Sequence, residues 1–189
     1  RAGQGLGLGL ERIMRKDGAG SAVSLAGAPN ARDGARTTFQ VFDETHRWTL
    51  AGLKRAHRTM LANVPKRFMS DPWSLEITTA FGPGEGSVAE DTMAYARAIE
   101  RGEISDPTLF FFHRQAGEEH DLTTREGRVA AVLEASGPHF AAWSDIDAIV
   151  GEWDDPEADQ AYLERVWCNR PVQAAGRAFD LKAWHANVQ

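Results

Sequence analysis

The sequence predicts an α/β domain with a mostly parallel sheet flanked by helices, followed by a C-terminal helical subdomain. Apolar, strand-like runs alternate with helical patterns up to about residue 121, which is typical of strand–helix–strand units. The run at residues 38–43 is apolar on both faces except for Gln40, as expected of a buried parallel strand. After residue 121 only helical patterns remain. We therefore divide the chain into an α/β part, residues 1–121, and a helical part, residues 122–189.

Length and composition fit one substantial domain with a small appendage. The chain has 189 residues and a formal net charge of −6, which argues against a protein that wraps nucleic acid over its whole surface. The single cysteine, Cys168, excludes an internal disulfide and makes a cytoplasmic setting the default. No apolar run approaches the roughly 18 residues that cross a bilayer. Because patterned sequence starts at Arg1 without a methionine, we expect the chain to be part of a longer protein.

The N-terminal elements begin with two strands around a turn. Leucines alternate in GLGLGL at residues 5–10, and Asp17-Gly18 is a turn signal before SAVSLAGAP. The strand at residues 38–43 follows, and residues 49–64 then carry the pattern of an amphipathic helix. This helix has a basic flank, which consists of Arg47, Lys54, Arg55 and Arg58. These residues fit either a solvated surface or contacts with the phosphates of DNA.

The second half of the predicted α/β region holds two more strands. SLEITTAF at residues 74–81 is a short strand ended by the turn-rich GPGEG, and Ser87 followed by Glu90 is a capping box that begins a helix. PTLFFFHRQ at residues 107–115 is the most strongly apolar strand pattern in the chain.

Three helices are predicted in the C-terminal subdomain. Their predicted starts are Thr123 with Glu126, Ser144 with Asp147, and Asp155 before Pro156. Large aromatics supply the buried area of a thin helical layer, so we expect a core that contains Trp143, Trp153, Trp167 and Trp184.

Two adjacent carboxylates end the strand at residues 38–43. Asp43 and Glu44 stand at the carboxyl end of a predicted parallel strand, where ligands of open α/β sheets bind. Nucleotide-hydrolysing P-loop proteins use this arrangement, with an aspartate that holds the hydration shell of Mg²⁺ and a glutamate that polarises the attacking water. Asp43 is therefore the candidate magnesium residue and Glu44 the candidate general base, although a solvated acidic turn is the alternative.

Thr78 and Thr79 close the next strand along the chain. Hydroxyl groups at that position can sense a γ-phosphate through hydrogen bonds, whereas ordinary β-propensity explains the same residues without function. A phosphate-cradling loop is not found, because GLGLGL lacks the Lys-Ser/Thr that reaches phosphates and magnesium. Arg32 and Arg36 lie in a turn-rich loop, where they are candidates for an arginine finger toward a neighbouring subunit. Loop arginines are more often solvated than catalytic, so a solvated surface is the alternative. The scattered His46, His113 and His120 are interpreted as packing or polar surface residues.

The sequence resembles the large subunit of tailed-phage terminases, the DNA-packaging motor. The resemblance rests on NARDGARTTFQVFDETHRW, LEITTAF, PTLFFFHRQA and YLERVWCNRPVQAAGRAFDLKAW, which occur in this order over nearly the whole chain. It implies a P-loop NTPase-like (ASCE) ATPase that uses ATP and Mg²⁺, with Asp43 and Glu44 as the Walker B pair. It also implies that Thr78-Thr79-Ala80 couples hydrolysis to movement, and that a helical lid or linker follows the ATPase domain.

The resemblance further implies double-stranded viral DNA, a small terminase subunit and a portal protein as partners, a homo-oligomeric ring, and the cytoplasm of an infected bacterium as the location. Two parts of the family pattern are missing from this chain, the phosphate-binding loop and the nuclease acids. We therefore expect the chain alone to bind no ATP tightly and to cut no DNA. Two other functions stay open: another nucleic-acid motor such as a helicase, and a degenerate α/β domain retained for protein contacts.

Overall fold

The chain adopts an α/β structure in a computed structural model that describes residues 5–10, 12–18, 20–25 and 37–173. Within these ranges it forms a three-stranded antiparallel sheet, a two-stranded parallel sheet and five α-helices. The predicted α/β class is therefore confirmed. In the same ranges, none of the helices has the length and the apolar character that crossing a membrane requires.

The antiparallel sheet consists of β1 (Leu6–Leu8), β2 (Arg12–Arg15) and β3 (Ser21–Val23), in that order. The predicted Asp17-Gly18 turn joins β2 to β3, and Gly18 takes the left-handed φ of 73° that glycine adopts without steric cost. The sheet has three strands where two were predicted. These three strands are antiparallel, so among the described strands only the next pair has the predicted parallel arrangement.

The parallel sheet consists of β4 (Phe39–Asp43) and β5 (Trp73–Ile77), connected through α1 (Ala51–Leu61). Short 3₁₀ turns at Thr45–Arg47 and Val64–Ser70 flank α1.

One face of this sheet is buried against α1. Gln40 donates a hydrogen bond to the carbonyl of Met60, and the ring centroid of Phe42 lies 4.5 Å from that of His57. The prediction that this strand is buried on both faces is wrong, because the opposite face is exposed and carries Phe39, Val41, Trp73, Leu75 and Ile77. The helices of the described part of the chain cover one side only.

Helix α2 (Val88–Glu100) begins as predicted. The hydroxyl of Ser87 accepts a hydrogen bond from the Glu90 N–H, which satisfies one of the free donors at a helix start. The Glu90 carboxylate departs from a full capping box, because it accepts from the N–H groups of Gly84 and Gly86 instead. These bonds fix the loop between β5 and α2.

The prediction of a strand at residues 107–115 is wrong. The segment forms no strand in the structure, and Phe110 and Phe112 are largely exposed. Strand propensity reports how well side chains fit a pleated, partly buried surface, and a strand forms only where a neighbour pairs with its backbone. No described strand pairs with this segment.

The C-terminal helices pack around a core of their own. They are α3 (Arg125–Ser136), α4 (Ile146–Gly151) and α5 (Gln160–Trp167). The buried core residues are Ala116, Ala131, Val132, Ile149, Val150, Trp153, Leu163 and Cys168. Trp153 is a core residue as predicted and Trp167 packs against that core, but Trp143 is 75% exposed, so its predicted burial is wrong. Trp184 lies outside the described residues.

The starts of these helices differ from the predicted ones for a local reason. Asp121 accepts hydrogen bonds from both the N–H and the hydroxyl of Thr123, so Thr124 caps α3 instead. Helix α4 likewise starts one residue late, with Asp145 as its cap.

The predicted helix start at Asp155-Pro156 is wrong. The carboxylate of Asp155 accepts from the Glu157 N–H within a turn, and Asp159 caps α5. Short polar side chains that bond to a nearby backbone N–H form turns as readily as they cap helices.

Candidate functional site

The ends of β4 and β5 meet at one edge of the parallel sheet. Asp43 pairs with Ile77 in register, and the Glu44 N–H donates a 2.9 Å hydrogen bond to the Ile77 carbonyl. The carboxylates of residues 43 and 44 and the hydroxyls of Thr78 and Thr79 therefore leave the sheet at the same edge. The sequence predicted this arrangement, because the carboxyl ends of neighbouring parallel strands lie together.

Both carboxylates are accessible to solvent. Asp43 lies on the exposed face of the sheet, and the Glu44 side chain is 46% exposed. Neither carboxylate is therefore buried, and burial alone does not call for a cation beside them. Glu44 adopts a left-handed backbone with φ 56° and ψ 43°. Such a conformation is uncommon for a residue with a Cβ and concentrates at functional sites and tight turns.

The left-handed turn brings Glu44 back toward the residues that follow it. Its Oε2 lies 3.5 Å from Nδ1 of His46 and 3.7 Å from Nε of Arg47. The acid is thus held beside an imidazole and a guanidinium, in a position to accept a proton from a water molecule at the strand end.

His46 connects the acid to the threonines of the neighbouring strand. Its backbone N–H donates to the Thr78 hydroxyl at 3.0 Å, and its Nδ1 lies 3.0 Å from the same oxygen and 3.4 Å from the Thr79 hydroxyl. The Thr78 hydroxyl donates its own proton to the Thr79 carbonyl. Sequence interpretation placed His46 among packing or surface residues. Its position three residues after Asp43 is the signal that could have placed it at the same edge as Thr78.

The hydrogen-bond pattern favours one tautomer of His46. When the Thr78 hydroxyl donates to the Thr79 carbonyl, Nδ1 of His46 is the donor between the two side chains. Nε2 is then free to accept the hydrogen bond that Arg47 Nε donates at 3.3 Å. We infer a neutral imidazole with its proton on Nδ1, since a proton on Nε2 would face the arginine donor.

The electrostatic surroundings of His46 agree with a neutral ring. Burial lowers its pKa below the usual value, Glu44 works in the opposite direction, and the positive charges of Arg47 and Arg165 lower it again. Both arginines therefore act on the same imidazole.

A buried polar cluster supports the turn beneath the site. Thr45 is fully buried and its hydroxyl donates to Glu76 Oε1 at 2.7 Å, while the Thr92 hydroxyl donates to Glu76 Oε2 at 3.0 Å. Burial alone would raise the pKa of Glu76, but hydrogen bonds from His57, Thr45 and Thr92 outweigh it and lower that pKa. An ionised Glu76 thus ties the turn after β4 to both α1 and α2.

Other candidate residues lie elsewhere. Arg32 and Arg36 fall outside the described residues. In the basic flank of α1, Lys54 forms a 2.7 Å ion pair with Asp91 and donates to the Gly86 carbonyl, so its charge is used within the protein. Arg55 and Arg58 are exposed.

A further group of possible metal ligands lies outside this edge. Glu119, His120 and Glu134 place ligand atoms within 4.8 Å of one another. The Glu134 carboxylate already accepts from the Gly117 N–H at 3.0 Å and contacts His120 Nε2 at 2.6 Å, and these bonds lower its pKa, the backbone bond most strongly. The contacts are those of an ordinary histidine–carboxylate pair on the surface.

Comparisons with protein-family models, with curated proteins and with solved structures found no match. The strand-end geometry and the sequence pattern are therefore the observations from which a function can be argued.

Proposed function

We propose that the chain is part of the ATP-hydrolysing motor of a terminase large subunit, which moves double-stranded viral DNA into a procapsid. The observation that carries the proposal is the meeting of Glu44, His46 and Thr78 at one edge of a parallel sheet. The sequence resemblance supports the same function, because its acidic pair and its Thr-Thr-Ala segment are the residues that meet there.

The proposal includes a P-loop NTPase-like sheet to which β4 and β5 belong as neighbouring strands. Their parallel pairing and the helical connection through α1 support it. Parallel sheets normally have both faces covered, and among the described residues β4 and β5 pair only with each other and leave one face open. In the proposed motor, further strands would pair with the open edges of β4 and β5, and a further layer of helices would cover the open face.

The proposed chemistry uses the strand-end residues in distinct roles. Glu44 accepts the proton of the attacking water. His46 holds the Glu44 carboxylate beside the hydroxyls of Thr78 and Thr79. Carboxylate oxygen is the ligand type that Mg²⁺ prefers, and the exposed Asp43 at the strand end fits a contact through the metal's water shell. When bound, the metal would neutralise charge on the phosphates of ATP.

The proposed partners follow from the motor function. They are double-stranded viral DNA, a small terminase subunit that selects it, and a portal protein on which the motor assembles as a homo-oligomeric ring in the cytoplasm of an infected bacterium. The exposed Arg55 and Arg58 are the residues of the basic flank that we propose for contact with the DNA backbone.

The proposal is tested by measuring ATP hydrolysis by the complete protein, with Mg²⁺ or with a chelator, and with or without double-stranded DNA. We expect hydrolysis that requires Mg²⁺ and is stimulated by the duplex. Strand separation coupled to hydrolysis would favour the helicase alternative instead. Absence of hydrolysis under every condition would reject the motor and favour a non-catalytic interaction domain.

A further inference from the structure

A cavity of about 300 Å³ lies beside the strand ends, between the turns that follow β4 and β5 and the helix α5. Its lining includes His46, Arg47, Thr49, Glu85, Tyr162 and Arg165. The α/β part and the helical part of the chain thus both contribute side chains to one concave surface, which is the usual form of a small-molecule site.

Arg165 gives the helical wall of this cavity a largely buried positive charge. Its side chain is 13% exposed, Nη1 donates to the Val172 carbonyl at 3.0 Å, and Nη2 lies 3.9 Å from the carboxylate of Asp159. A guanidinium carries five N–H donors, and a buried charge is stable when a close anion or several hydrogen bonds satisfy it. Among the described residues, one carbonyl and one distant carboxylate contact the guanidinium, which leaves donors of Arg165 for a ligand.

Arg47 supplies a second charge from the opposite wall. Its side chain is 67% exposed, and its Nε lies 3.7 Å from the Glu44 carboxylate and donates to His46 Nε2 at 3.3 Å. In the described part of the chain these contacts use Nε and leave the two Nη groups for a ligand. Arg47 and Arg165 both oppose protonation of His46, which places their charges near the same point. Glu85 is the acidic residue of the lining.

We propose that this cavity binds a small phosphate group, held by Arg165 and Arg47, with the hydroxyls of Thr49 and Tyr162 as further donors. Arginine is the side chain best suited to phosphate oxygens, because its planar fork matches them with two parallel hydrogen bonds. The volume is at the low end for ligand sites, which suits phosphate or pyrophosphate. Free phosphate and the terminal phosphates of a nucleotide share this chemistry. The site therefore does not depend on the proposed motor function.

The experiment is a calorimetric titration of the complete protein with inorganic phosphate, pyrophosphate and ADP. The variants are Arg165→Gln and Arg47→Gln, and the matched control is Arg97→Gln, an exposed arginine on α2 that pairs with Glu100. Loss of a charge-assisted bond to phosphate should weaken binding at least about tenfold in each cavity variant. The control should change it less than twofold. Among the described residues the Arg47 side chain contacts only its neighbours Glu44 and His46, so Arg47→Gln keeps the test valid if Arg165→Gln unfolds the helical part.

Variant-sensitive binding of any of these probes supports the site, and preference for ADP over phosphate identifies a nucleotide as its source. Absence of binding by all three probes, or binding that neither cavity variant weakens, overturns it. Phosphate binding in a protein that hydrolyses no ATP would keep this site and reject the motor. Hydrolysis without variant-sensitive phosphate binding would do the reverse.

Discussion

Nδ1 of His46 lies 3.0 Å from the hydroxyl of Thr78, although the two residues are 32 positions apart in the chain. The contact joins the turn after β4 to the turn after β5. Because Glu44 approaches the same nitrogen at 3.5 Å, a change at the acid can reach the threonines through one imidazole. We regard this contact as the link between hydrolysis and movement in the proposed motor.

Replacing His46 by Ala should lower kcat for ATP hydrolysis about tenfold and leave KM for ATP nearly unchanged. One lost hydrogen bond to a catalytic element is worth about 1.4 kcal/mol, which is a factor of ten in rate. His46→Asn keeps a donor near Nδ1 and should recover part of the rate. Steady-state kinetics of the complete protein measure both effects, with His113→Ala as the control histidine.

A double-mutant cycle of His46→Ala and Thr78→Val measures whether the two residues act together. If they do, the double variant should be little worse than either single variant, with a coupling of about 0.5–3 kcal/mol. Additive losses would mean that the contact seen in the structure does not transmit the effect.

The stability of the protein should depend on the charge of His46. Its folded pKa is lowered, chiefly by burial, so the folded state binds the proton less tightly than the unfolded state. The contribution is fully present above the ordinary histidine pKa of about 6.5 and is lost as pH falls through that value toward the folded pKa. Urea unfolding at pH 7.5 and at pH 5.5 should show this loss in the wild type. His46→Asn should show a smaller loss, and an identical pH dependence would refute the assignment.

Arg32→Ala or Arg36→Ala should lower ATP hydrolysis in the assembled ring only, if one of these residues acts on the nucleotide of a neighbouring subunit. An arginine finger contributes about 10³–10⁵ in rate in the enzymes where it is known. Turnover of each variant is compared at concentrations where the protein is monomeric and where it is assembled. An equal loss in monomers would indicate a structural role.

Trp153→Ala should lower the free energy of unfolding by about 3–5 kcal/mol, because it leaves a cavity among α3, α4 and α5. Trp143→Ala is the control, since its ring is largely exposed and should change stability by no more than about 0.5 kcal/mol. Denaturant unfolding of the two variants measures the difference. A similar loss in both would contradict the described core.

Local patterns predicted the elements that local chemistry determines. The strand that ends at Asp43 and the helix capped by Ser87 were both predicted at the right place, because an apolar run and a capping residue can be recognised from a few neighbouring residues. The start of α3 was missed by one residue, since Asp121 bonds to Thr123 and moves the cap to Thr124.

What the sequence did not predict depends on distant partners. Residues 107–115 have the composition of a strand but find no pairing strand in the described part of the chain. The strand-end position of the acids and threonines was predictable from parallel pairing. The role of His46 was not, because it arises from a contact between turns that follow different strands. The charge of Arg165 at the same edge likewise requires the packing of α5.

The most direct measurement of the central claim is ATP turnover by the Glu44→Gln variant of the complete protein. Glutamine keeps the shape of the side chain but cannot accept a proton from water. Removal of a general base costs about 10²–10⁴ in rate, so we predict turnover reduced by that factor with ATP binding nearly intact. Glu118→Gln, at an exposed acid away from the strand ends, should behave as the wild type. Near-normal hydrolysis by Glu44→Gln would contradict the assignment of the strand-end acid as the catalytic base.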